Sequence, residues 1–184
     1  LYDYLIAKGE SAPQKGINRA KGASHFARFW ISGRHGCQAD MARFLRQDFV
    51  CAMALWLTAK TGGAIELPGA SPRHLSRENA RIVMRINAMT VGPFTPLIMG
   101  VLFDYVTNRR SDLWLDAQLH ALESYAGRLL LVGQGLSPLR SVTMQIAAKC
   151  FVPGGIPLVD HVRTLMPTDA DVRNQVENCY KRSP

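Results

Sequence analysis

Residues 71–90 read SPRHLSRENARIVMRINAMT, and the way they are read decides the rest of the chain. Arg73, Arg77, Arg81 and Arg85 recur at every fourth position. Steps of four advance 400° around an α-helix, so each arginine drifts only about 40° from the last. The four guanidinium groups would line a strip about 18 Å long. Leu75, Ile82, Val83, Ile86 and Met89 fall on the other side and supply a face to bury. Ser71 suits an N-cap, and Pro72 falls at the first helical position, where a missing N–H costs nothing. Pro93 and Pro96 close the element. The spacing therefore predicts a helix from Ser71 onward with a cationic face, which Glu78 alone interrupts.

Working outward, helical signals continue in both directions. Just upstream, AIELPGAS (64–71) is the one stretch that reads as extended. Before it, TGG (61–63) suits the end of a long helix predicted over 38–60. Met41, Phe44, Leu45, Ala52, Leu55 and Ala59 give that helix its stripe, and FVCAMALWL (49–57) is apolar all round. Such a helix is expected at the centre of a fold. Further upstream, 23–32 places Phe26, Phe29 and Trp30 on one helical face, and 1–9 suits a short helix. Between them, 10–22 is polar, basic and interrupted by Pro13, Gly16 and Gly22, as a flexible arm would be.

Downstream, a helix runs to about Arg110, and Ser111 caps the next, to about Val132. There Leu115, Leu119, Leu122, Ala126 and Leu129 repeat at spacings of 4, 3, 4 and 3. That is a packing seam, inside a bundle or between subunits, so a homo-oligomer through Leu115, Leu119, Leu122 and Leu129 is one expectation. GQGLSP (133–138) and PGGIP (153–157) bracket a helix over 139–152. Thr168 with Asp171 imitates a capping box and opens a last helix to Lys181. The expected fold is all-α: a single helical bundle or array of about eight helices with a flexible basic N-terminal arm. The break at 93–96 divides one continuous domain into halves, 1–92 and 93–184.

Charge follows the same division. The chain has 184 residues and a formal net charge of +8. Residues 1–92 hold 13 basic and 6 acidic side chains, whereas 93–184 hold 9 and 8. Between Lys8 and Arg46 there are 8 basic residues against Glu10 and Asp40. This asymmetry points to a polyanionic partner for the first half, with the second half left to packing or self-association.

Other classes find less support. Cys37, Cys51, Cys150 and Cys179 lie too far apart for a zinc ribbon or a redox pair, and Cys51 and Cys150 read as small core residues. An intracellular, reducing setting is expected, in the cytoplasm or within a nucleoprotein particle. The longest apolar run is nine residues, against about 20 for a membrane span. No phosphate-loop, dinucleotide, nucleophile-elbow or zinc-protease motif occurs, so neither an enzyme nor a cofactor is expected. His35 and Cys37 in RHGC are neighbours in sequence, which does not place a base against a nucleophile.

GASPRHLSREN (69–79) resembles the recognition-helix entry of AraC-type transcription regulators over eleven residues. The resemblance implies a paired helix-turn-helix. The turn that should follow is missing, because the helical pattern continues through the arginines.

The expected function is non-enzymatic nucleic-acid binding, RNA favoured over DNA and tolerant of sequence, as in a coat protein, nucleoprotein or ribonucleoprotein subunit. The expected contacts are Lys15, Arg19 and Lys21 on the arm, Arg28 and Arg34 among the aromatics, Arg43 and Arg46 at the long helix, and Arg73, Arg77, Arg81 and Arg85. Arginine forks match phosphate oxygens, and basic residues interleaved with aromatic rings suit a backbone with stacked bases. Alternatives are a DNA-binding regulator whose second half dimerises, and a helical module that docks an acidic protein. In a further reading, acidic residues from Asp104 to Glu123 answer the arginines internally.

Overall fold

Thr61 ends a helix because Gly62 behind it adopts φ +68°, and its N–H closes on the Thr58 carbonyl at 2.8 Å. A Cβ at Gly62 would lie 3.0 Å from the Ala80 carbonyl oxygen, so both conformation and space call for glycine. This is α1 (Val50–Thr61), entered through a π-helical turn at Phe44–Phe49. The computed structural model describes residues 44–90, 92–133, 136–152 and 154–182. The helices predicted over 1–9 and 23–32 lie outside the described residues, as do the arm and Lys15, Arg19, Lys21, Arg28, Arg34 and Arg43.

Six more helices follow: α2 (Arg77–Thr90), α3 (Thr95–Thr107), α4 (Asp112–Leu131), α5 (Leu136–Cys150), α6 (Leu158–Leu165) and α7 (Asp169–Arg182). The described residues form these seven α-helices and no strand, an all-α fold. Among the described residues, no helix is long and apolar enough to cross a membrane.

α1 corrects two expectations. Among the described residues, Phe44–Phe49 is a π-helical turn and regular α-helix begins at Val50, and the helix is exposed along one side rather than enclosed all round. Ala52, Leu55, Thr58 and Ala59 are buried, while Val50, Met53 and Leu57 are exposed. Ala52, Leu55 and Ala59 belong to the stripe that the spacing predicts, so the buried face is the predicted one. Among the described residues, α2 and α3 are the helices packed against α1 downstream of it.

The segment from Ala64 to Ser76 corrects a third. No helix starts at Ser71. Ile65 and Arg73 exchange backbone hydrogen bonds at 2.8 and 3.1 Å as an isolated antiparallel bridge. Pro68 and Gly69 (φ +77°) turn the chain between them, and the Ala70 N–H meets the Leu67 carbonyl at 3.1 Å. Helix begins at Arg77, where Ser76 Oγ accepts the Asn79 N–H at 3.0 Å. Most of the fragment resembling a regulator's recognition helix therefore lies in this hairpin-like loop.

α4 organises the rest. Ser111 caps it as predicted, its Oγ accepting the Trp114 N–H at 3.2 Å. It packs against α2, α3, α6 and α7. Leu115, Leu119, Leu122 and Leu129 are at most 3% exposed and belong to the core with Ile82, Val83, Ile86, Leu97, Ile98 and Leu102. The seam is consumed within the chain, so it offers no surface to a second copy. The same core runs across the 93–96 break.

Gly100 lets the Phe151 ring lie against α3, since a Cβ there would collide with the ring. α5 begins earlier than predicted, at Leu136, with Pro138 in its first turn. The short α6 was not anticipated. Its buried Leu158 and Val162 sit one turn apart between Pro157 and Pro167, too brief a pattern to read as helix. At α7, the Thr168 N–H donates to Asp171 Oδ2 at 2.8 Å, and Thr168 Oγ1 accepts the Asp171 N–H at 3.2 Å. Cys51 and Cys150 are half-buried rather than core, and burial pushes the Cys150 thiol up to about 11.

Candidate nucleic-acid interface

The four regularly spaced arginines divide into two pairs with different employment. Arg73, off the helix, is held at the α3–α4 turn. Its guanidinium lies 3.6 Å over the Tyr105 ring. Nη1 donates to the carbonyls of Tyr105 (3.0 Å) and Arg110 (3.2 Å), and Nη2 to Asp112 Oδ1 (3.4 Å). The Tyr105 hydroxyl donates to the same carboxylate. Burial first, and that hydrogen bond second, push the hydroxyl up to about 12, so it stays protonated and donating at neutral pH. Arg73 thus fastens the 65–73 segment to the turn between α3 and α4.

Arg85 is answered by Glu123 from α4 through Nε and Nη2, a bidentate fork. Nη2 also meets Glu78 at 3.1 Å. The hydrogen bond to Glu123, then that to Glu78, raises the Arg85 pKa further above its ordinary value. The Arg85 bond in turn holds the Glu78 carboxyl below its usual range. Acidic residues downstream therefore answer Arg73 and Arg85 internally.

Arg77 and Arg81 remain. Arg77 is exposed and has no ion pair among the described residues. Arg81 Nη1 lies 3.8 Å from Glu78 Oε2, and its side chain is 55% exposed. Glu78 already serves Arg85 at shorter range, so it leaves most of the Arg81 charge to solvent. Arg46 is exposed at the π-helical turn before α1. Lys60 Nζ reaches Asn87 Oδ1 at 3.4 Å, and burial lowers its pKa.

The structure thus puts Arg77, Arg81 and Arg85 on one helix, moves Arg73 to a structural post and leaves two arginines facing water. Arg73→Leu is expected to cost about 2 kcal/mol of stability, because it removes a stacked cation and charge-assisted hydrogen bonds to two carbonyls. It should leave polyanion binding unchanged. Urea unfolding alongside an RNA-binding isotherm checks both halves of that expectation.

Sequence reasoning missed a cleft of about 840 Å³ among α3, α4, α5 and the α5–α6 connection. Among the described residues, no three His, Cys, Asp or Glu converge as a metal ion would require.

No protein-family model, curated protein or solved structure matches this chain. Its class rests on its own fold and sequence: an all-α fold among the described residues and a strongly basic first half.

Proposed function

We propose that the chain is a non-enzymatic nucleic-acid-binding protein. It binds RNA in preference to DNA with little regard for sequence, as a coat protein, nucleoprotein or ribonucleoprotein subunit does. The observation that carries this reading is the pair Arg77 and Arg81, one turn apart on α2 and exposed, in a half with 13 basic and 6 acidic side chains. Like charges at this spacing repel by a few tenths of a kcal/mol, a cost that phosphate oxygens offset. The eight basic residues between Lys8 and Arg46 would extend the same contact. Nothing in the set reads base edges, so affinity would come from counterion release and fall steeply with salt. In this reading the helices form a single bundle at work inside the cell or within a nucleoprotein particle. The regulator reading loses its dimerising seam, because those leucines are buried.

Anisotropy titrations with labelled single-stranded RNA, duplex DNA and polyglutamate, at about 50 and about 200 mM salt, test the partner class. RNA is expected to bind most tightly and to weaken sharply at the higher salt. Equal binding of polyglutamate would replace this reading with that of an interaction module. An absence of nucleic-acid binding at low salt would overturn it.

A further inference from the structure

On α4, Trp114 and Gln118 lie one turn apart and line the cleft described above, on the side of the helix away from Glu123. Phe103 of α3 and Phe151 beyond α5 add aromatic wall. The cleft's size falls within the range of about 300–1,000 Å³ usual for small-molecule sites. Gln118 is 7% exposed and lines the cleft, and its amide is not one of the buried polar atoms left without a partner among the described residues, which are Asn79 Oδ1 and Thr95 Oγ1. An amide that faces open space rather than a protein partner is available to pair with a ligand there, as one acceptor and two donors.

The charges at the mouth narrow the ligand class. Arg110 Nε lies 3.3 Å from Asp104 Oδ2, and both line the cleft. The pair cancels, so neither a free anion nor a cation gains a net partner. The Arg110 guanidinium also stands 5.4 Å from the centre of the Trp114 ring. A neutral, flat ring with a donor and an acceptor on one edge meets every requirement. The aromatic wall takes its face, and the glutamine amide offers one acceptor and one donor to its edge. Glutamine pairs bidentately with adenine in this way.

We propose that this cleft takes a single nucleobase, adenine best, with its ring against Trp114 and its edge on the Gln118 amide. The inference rests on the nucleic-acid reading and adds a base-holding site to a phosphate-binding surface. Sequence tolerance would persist, because one pocket per chain biases an occasional position and does not read a sequence.

Adenosine, which carries no phosphate, tests the site apart from the arginines. It is titrated into the full chain by calorimetry and by tryptophan emission, in wild type, Gln118→Leu and Arg77→Glu/Arg81→Glu. Gln118→Leu keeps a similar volume and puts an apolar side chain against an aromatic wall, so the variant should fold with its melting temperature held. Saturable binding is expected, with quenching, weakened about tenfold or more by Gln118→Leu and unaltered by the double reversal. An absence of saturable adenosine binding to wild type overturns the pocket whatever the variants do, as does equal binding by Gln118→Leu. Either result leaves the salt-dependent RNA titration to stand separately. If adenosine binds while RNA binding ignores Arg77 and Arg81, the pocket holds and the phosphate-binding face falls.

Discussion

Leu119→Ala is expected to lower the stability of the chain by about 3 kcal/mol and to leave its state of association unchanged. Leu119 is fully buried at the middle of α4, the helix that packs against α2, α3, α6 and α7. Truncation there removes apolar area from the core and opens a cavity that four surrounding helices cannot close together. A domain stable by only about 5–15 kcal/mol feels such a loss strongly. Leu113, on the same helix but 78% exposed, supplies the control. Leu113→Ala should change stability by no more than about 0.5 kcal/mol. Urea unfolding followed by circular dichroism, with sedimentation velocity on the same samples, reads both quantities. A change in oligomeric state at unchanged stability would return the leucine seam to an interface between subunits.

Arg77→Glu/Arg81→Glu carries the largest expected effect on binding. Each reversal removes one phosphate contact and adds a repulsive charge, and together they should weaken single-stranded RNA by about a hundredfold or more at low salt. The variant should fold normally. Both side chains are exposed, and α2 starts at Arg77, so the reversal places a carboxylate in the first turn, where the helix dipole favours it. Arg73→Leu serves as the opposite control, because its guanidinium is committed to Tyr105, Arg110 and Asp112. It should lose stability and keep affinity. The two variants together separate a binding face from a structural post.

Local chemistry was the legible part of the fold. The Ser111 cap, the Gly62 stop and the box of Thr168 with Asp171 each depend on residues within a turn of one another, and each formed as read. The leucine spacing in α4 was also legible, although spacing alone does not say whether a seam faces its own chain or another. The start of α2 was not. Ser71 with Pro72 and Ser76 both satisfy capping chemistry, and pairing between Ile65 and Arg73 decides for the second. α1 misled only through its apolar run: the stripe of Ala52, Leu55 and Ala59 is the buried face, but Val50, Met53 and Leu57 beside it stay exposed.

The candidate site divides the same way. A four-residue spacing correctly set Arg77, Arg81 and Arg85 along one helix. Their employment depends on residues far along the chain: Glu123, 38 positions from Arg85, and Asp112, 39 from Arg73. Trp114 and Gln118 were in plain view at a helical spacing, but three of the cleft's walls come from α3, α5 and the connection to α6. No local pattern announces a cavity assembled from separate elements.

The most direct test of the central claim is the slope of log affinity against log salt for one single-stranded RNA, measured for wild type and Arg77→Glu/Arg81→Glu. Each lost phosphate contact should reduce the steepness by about 0.7, so the variant should bind more weakly and on a slope shallower by about 1.4. Equal affinities on parallel lines would contradict the account and leave Arg77 and Arg81 as solvated charges on a helix that binds nothing.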